Sequence, residues 1–295
     1  MRRFVRFTLL LLIVLLVLPT QAQDDTPIQV TVSILPQQYF VERIGGDRVA
    51  VNVMVLPGES PATYEPTAQQ LTALSESAAY FGIGVPFEQA WLDRIASANP
   101  DMLMVDTTHG IRRIGIQDHG QDLPDDYVAP ENADPHIWIS PALVAVQADT
   151  IYQFLAALDP ANRDFYRDNL EAFLADIADL QSETRAALEG VENRNFMVFH
   201  PAWGYFADEF GLTMIPIEVG GQEPSARELA DLIQQAQDLN VSVIFVQPEF
   251  STTAAETIAD QIGGEVALIS PLNPNWLDNM YNMAETFAQV LGAQP

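Results

Sequence analysis

Cysteine is absent from the 295 residues, and so is lysine. The first absence removes disulfide bridges, thiolate metal sites and cysteine nucleophiles, so any metal has to be held by nitrogen and oxygen. The second removes phosphate loops of the kind that need a lysine. Basic residues are few altogether: 13, all arginine, against 40 acidic ones. Histidine is scarcer still, with four: His109, His119, His136 and His200. The dinucleotide fingerprint is incomplete, because Gly82-Ile83-Gly84 lacks its third glycine. No Gly-x-Ser-x-Gly nucleophile elbow occurs.

Long apolar runs are also scarce, and the one at the N-terminus reads as an address. Arg2, Arg3 and Arg6 precede an apolar stretch over 8–18, and Thr20-Gln21-Ala22 supplies small residues at a cleavage position. Residues 1–22 are therefore expected to be a secretory signal cut after Ala22, with a retained membrane anchor as the alternative. Without a cysteine at the cut, a lipid-anchored form is not expected. Either way the folded part lies outside the cytoplasm. Three of the 13 basic residues and none of the 40 acidic ones fall in this segment, so the remainder has a formal charge of −30. Nucleic acid and anionic membrane would be repelled and are not expected as partners. Cations would be concentrated near such a surface, although solubility in a salty environment explains the charge equally well.

Hydrophobic residues make up 48% of the full sequence, enough for a sizeable core. Strands are expected at 28–35, 49–56, 79–83 and 102–105, separated by helices at 37–44, 67–76 and 87–96. This alternation implies a parallel sheet with helices on its faces. A polar stretch over 107–133 interrupts it, carrying His109, His119, Asp118, Asp122, Asp125, Asp126 and Glu131. A helix over 141–158 follows. Next comes the longest periodic segment, 160–188, with Phe165, Tyr166, Leu170, Phe173, Leu174, Ile177, Leu180 and Leu188 at helical spacings. Such a helix is roughly 40 Å long. Strands at 195–199, 213–219, 241–246 and 266–269 then alternate with helices near 202–209, 225–238, 252–262 and 276–291. The expected fold is α/β, with two lobes (27–159 and 191–295), each built on a four-stranded mainly parallel sheet. One rigid helix, 160–190, joins them.

In open parallel sheets ligands bind beyond the carboxyl ends of the strands. His200 lies at such an end, and His136 follows the fourth β/α unit. We read them as facing each other across the cleft between the lobes and holding a metal ion. Each signal alone is weak, because a lone histidine at a strand end is more often a hydrogen-bonded structural residue.

The order of the motifs is more specific. Pro57-Gly58 is followed by Tyr64-Glu65-Pro66-Thr67. Asp134-Pro135-His136-Ile137-Trp138, His200-Pro201-Ala202-Trp203-Gly204-Tyr205-Phe206 and Ile217-Glu218 come next. Glu223-Pro224-Ser225-Ala226, Phe245-Val246-Gln247-Pro248-Glu249-Phe250-Ser251 and Ser270-Pro271-Leu272 complete the series. In this order they resemble the zinc and manganese substrate-binding proteins of bacterial ABC transporters, over nearly the whole mature chain. The resemblance implies two α/β lobes on one long helix, a monomer, and zinc or, second, manganese carried to a membrane permease. It implies a metal site that includes His136 and His200. It also exposes two departures. The family's first histidine would stand where this chain has Ala62, and its last acidic ligand where this chain has Ser270. Two imidazoles alone bind a divalent cation weakly. Glu65 and Gln247 are the first choices to complete the shell, then Glu59 and Glu249, with His109 or His119 as further sources. The alternative role for Glu65 is capping the helix that follows it. A same-fold protein for a metal chelate or small organic solute is the alternative reading of the losses at 62 and 270. No base is assigned for an enzyme, and adhesion would be a secondary surface role without a signature here.

Overall fold

The computed structural model describes residues 26–116, 133–218 and 221–292. The signal segment, His119 and the acids of 118–131 lie outside them. The first sheet holds β1 (Ile28–Val32), β2 (Val49–Val53), β3 (Ala79–Gly82) and β4 (Leu103–Asp106) in the order β2-β1-β3-β4. The second holds β5 (Asn195–Val198), β6 (Thr213–Pro216), β7 (Val243–Val246) and β8 (Glu265–Leu268) in the order β6-β5-β7-β8. Every pairing is parallel. The two sheets thus share one winding, although the sequences of the halves show no repeat.

The inner strands read as apolar runs because helices cover both faces. All four residues of β3 and of β7 are buried. The first lobe's helices are α1 (Leu35–Gly45), α2 (Ala68–Leu74), α3 (Pro86–Ala98) and α4 (Pro141–Leu158). Those of the second are α6 (Gly204–Phe210), α7 (Ala226–Asp238), α8 (Thr253–Ile262) and α9 (Trp276–Gly292). Thr67, not Glu65, caps α2: its hydroxyl accepts from Gln70 N at 3.3 Å, and the Gln70 side chain answers the Thr67 backbone. Glu65 is exposed.

The linking helix, α5 (Arg163–Ala187), follows a short 3₁₀ turn at Pro160–Asn162. Its 25 residues span about 38 Å. It buries Tyr166, Leu170, Phe173, Ile177 and Leu180 on one stripe and packs against α1, α4 and α9, so it touches both lobes. One continuous core runs from the first sheet through α5 to the inner face of the second. A smaller core lies under α7 and α8.

Two tryptophans bolt the lobes together. Trp276 packs edge-on to Phe40 at 5.2 Å and to Phe173 at 6.1 Å. Its Nε1 donates to the Trp138 carbonyl at 2.7 Å, while Trp138 Nε1 donates to the Pro271 carbonyl at 2.7 Å. Truncating Trp276 to Ala should cost about 3–5 kcal/mol through lost packing, and Trp276→Phe about 1 kcal/mol through the lost hydrogen bond. Urea unfolding of the two variants measures both.

A second buried feature lies at the carboxyl edge of the first sheet. The Glu88 carboxylate, at the start of α3, accepts from Ser33 Oγ, from Ile83 N at 2.9 Å and from Gly84 N at 2.9 Å. Burial lifts its pKa above the ordinary 4.5 despite these donors. A raised folded value means that Glu88 contributes its stability below the unfolded value and loses it as pH rises through the folded one. The stability of the natural protein relative to Glu88→Gln should therefore be highest below about 4.5 and fall with rising pH. A constant gap across a urea titration series would refute this.

Candidate metal centre

The winding places the site. In each sheet the chain leaves the two central strands in opposite directions, and the crevice between them is where ligands settle in open α/β sheets. From the second lobe this crevice receives the residues after β5 and β7. Those after β3 arrive from the first lobe, and the segment 133–140 closes the space between.

His200 follows β5. Its backbone is gripped by Gln247, which is fully buried: the carboxamide accepts from His200 N at 3.3 Å and donates to His200 O at 2.8 Å. Both ends of the Gln247 side chain are thus spent on holding His200. It stands behind the site and not in it. The imidazole stacks on Phe250, 4.8 Å between centroids and 19° between planes. Its Nδ1 faces the Glu218 carboxylate at 3.0 and 3.1 Å. Glu218 arrives there because β6 ends at Pro216. Ile217 and Glu218 then turn out of the strand while their N–H groups still bond to the main chain of Val198 and Phe199.

His136 is held in the same manner from the other side. Asp134, fully buried, accepts from His136 N at 2.8 Å and faces His136 Nδ1 at 2.7 Å with the same Oδ1. The Asp134 carbonyl is itself fixed by Arg113 Nη2 at 2.8 Å and Tyr205 Oη at 3.0 Å. Asp134 Oδ2 is buried without a hydrogen-bond partner. It fits because residue 204 is glycine: a Cβ there would lie 2.7 Å from it.

With each Nδ1 committed to a carboxylate, each Nε2 is left to the cleft. The two Nε2 atoms stand 3.3 Å apart, with the rings at 75°. Burial holds the His136 imidazole below its ordinary pKa, against the opposing pull of Asp134, which favours the neutral ring with a free lone pair. Two facing lone pairs repel each other unless a cation lies between them. Bonds of about 2.0–2.1 Å to a tetrahedral zinc would put two nitrogens roughly 3.3–3.4 Å apart, the spacing seen here. A carboxylate behind each imidazole is the usual support of a metal-binding histidine.

The other expected ligands divide. Ala62 and Glu249 line the same cavity as the two histidines, together with Pro61, Val85, Pro86 and Phe250. Ser270 lines an adjoining cavity, which it shares with Glu249. Its hydroxyl accepts from Leu272 N at 3.2 Å. Glu59 and Glu65 are exposed and line neither cavity, and His109 is exposed on the loop after β4. Among the described residues, no group of three or more histidines and carboxylates is arranged to hold a metal. Sequence reasoning missed the roles of Asp134 and Glu218. The Asp two residues before His136 was a usable local signal. Glu218 was hidden among 40 acidic residues.

Both supporting carboxylates can be tested by neutral isosteres. Asp134→Asn and Glu218→Gln should each weaken metal binding by about 10–100-fold while leaving the fold intact. Gly204→Ala should act in the same direction by displacing Asp134. Competition against a zinc-sensitive dye, with circular dichroism as the control for folding, measures all three.

Comparison with known proteins finds relatives named for zinc. The family model described as zinc-uptake complex component A, periplasmic, matches residues 30–290. The high-affinity zinc uptake system protein ZnuA of Bacillus subtilis is 27% identical over 254 residues, covering 83% of this chain and 78% of that protein. A crystal structure of ZnuA superposes with a TM-score of 0.83 at 46% identity, covering 90% of this chain and 99% of the other. A deletion mutant of ZnuA with zinc bound superposes equally well, with a TM-score of 0.83 at 46% identity over 91% of this chain and all of the other.

Proposed function

Because the chain belongs to the periplasmic zinc-uptake component A family, we propose that His136 and His200 are the protein's own ligands to the ion it captures. The family's members bind metal for ABC import, zinc first, and this chain is such a substrate-binding protein. The observation that carries the site assignment is the 3.3 Å approach of two Nε2 atoms, each backed by a buried carboxylate. Asp134 and Glu218 together offset the charge of one divalent cation between neutral imidazoles.

The remaining features follow from the same reading. The ion is taken up in the inter-lobe cleft and handed to a membrane permease, with no catalytic step. The protein acts as a monomer released from its signal segment and not as a lipoprotein. The lobes 27–159 and 191–295 move little, because α5 and the shared core span both. Large hinge closure belongs to binding proteins whose lobes are joined by flexible segments.

Calorimetric titration of the metal-free mature protein tests the assignment. Zinc should bind at one equivalent, manganese more weakly, and His136→Ala and His200→Ala should each abolish the signal. Zinc affinity weaker than about 100 μM, a free energy near −5.5 kcal/mol, would overturn the reading. So would a His136→Ala variant indistinguishable from the natural protein.

A further inference from the structure

The space in front of the histidine pair is larger than an ion requires and poor in groups to bind one. The cavity has a volume of about 140 Å³. Its walls are mainly apolar, including Pro61, Ala62, Val85, Pro86 and Phe250, with Gln89 and Glu249 among the few polar side chains. Past Glu249 and Leu272, which line both, a second cavity of about 180 Å³ opens toward Ser270. Zinc takes four ligands, and the described residues bring two. Two coordination positions are left facing an apolar chamber with room for an organic molecule.

Charge narrows what that molecule can be. Asp134 and Glu218 stand behind the pair, and Glu249 faces the chamber. No arginine is among the residues lining either cavity, and the chain has no lysine. A polycarboxylate would give a metal complex of negative charge, with no cationic side chain among the described lining residues to receive it. A ligand with one amine and one carboxylate leaves the complex with a divalent ion positive.

We propose that the cargo is a divalent metal ion carrying one small chelator of the α-amino-acid type. Its amine nitrogen and carboxylate oxygen fill the two positions that the protein leaves open. The donor count is then two imidazole nitrogens from His136 and His200, one amine nitrogen and one carboxylate oxygen. The ammonium proton of the chelator is released to solvent as its nitrogen binds the metal. The chelator's side chain lies against the apolar wall and points toward Glu249. This rests on the reading that His136 and His200 hold the ion.

Native mass spectrometry and calorimetry on the mature chain test it, with zinc alone, zinc plus free L-leucine, and zinc plus citrate. With L-leucine, a species heavier by one zinc and one leucine should dominate. At equal free zinc, binding should be tighter by about tenfold or more than with zinc alone. Citrate should only remove zinc. Ala62→His, which places a further imidazole on the exposed cavity wall, should tighten the binding of zinc alone and erase the gain from L-leucine. Tight binding of zinc alone, with L-leucine acting as a plain competitor and no ternary species, would overturn the proposal and leave the two-histidine reading standing. No zinc binding under any condition would overturn both.

Discussion

Everything at the centre of this protein depends on one chain of contacts, Asp134–His136···His200–Glu218. Each carboxylate fixes the Nδ1 of its imidazole, which turns both Nε2 atoms toward each other at 3.3 Å. Such an arrangement is unfavourable without a cation, since buried carboxylates and facing lone pairs both call for positive charge. The energy to hold it comes from the fold around it. Gln247 spends its whole carboxamide on the His200 backbone, Phe250 covers the His200 ring, and Arg113 with Tyr205 anchors the Asp134 carbonyl.

The same logic explains the fused core. A site shared by two lobes keeps a sub-ångström geometry only if the lobes keep their relation. Here α5, the Trp138–Trp276 hydrogen bonds and the aromatic group of Tyr39, Phe40, Phe173 and Trp276 supply that constraint. The parallel winding of each sheet brings four loops to one crevice. The chamber in front of the histidines takes its walls largely from the segments after β2, β3, β4, β7 and β8 and not from the sheets themselves.

Much of this architecture was legible from residue patterns. The β/α alternation, the 3.6-residue stripe from Tyr166 to Leu180 and the short apolar strands fixed the layers, because each reports burial of one local face. Strand ends were less legible. The strands expected over 49–56 and 213–219 end at Val53 and Pro216. Met54, Val55 and Ile217 beyond those ends are buried and keep main-chain hydrogen bonds to the neighbouring segment, and periodicity does not distinguish such a continuation from a paired strand. The pairing of His136 with His200 was legible because histidine is rare and their neighbours form a recognisable series. Gln247 was offered as a possible completing ligand because it lies in the right loop, whereas its carboxamide is bonded to the His200 backbone: a side chain that supports a histidine and one that faces the cleft sit at the same place in a sequence. Glu65 was misplaced for a related reason, since its exposure is decided by how the loop after β2 folds back.

The sequence by itself determined the kind of metal chemistry available. No cysteine and few histidines leave nitrogen and oxygen donors, and the motif order leaves a family. It also showed that positions 62 and 270 lack donors, since alanine has none and serine is a weak one. Only the tertiary structure decided that the two remaining histidines meet, that each is backed by a carboxylate, and that the vacated side of the site is an apolar chamber. The meeting of the histidines relates residues 64 apart in the chain, and Glu218 reaches His200 from 18 residues away, both set by the crossover of each sheet and the packing of one lobe on the other. Apart from the Asp134–His136 spacing, no local pattern encodes them, because a carboxylate looks the same in the sequence whether it faces an imidazole or the solvent.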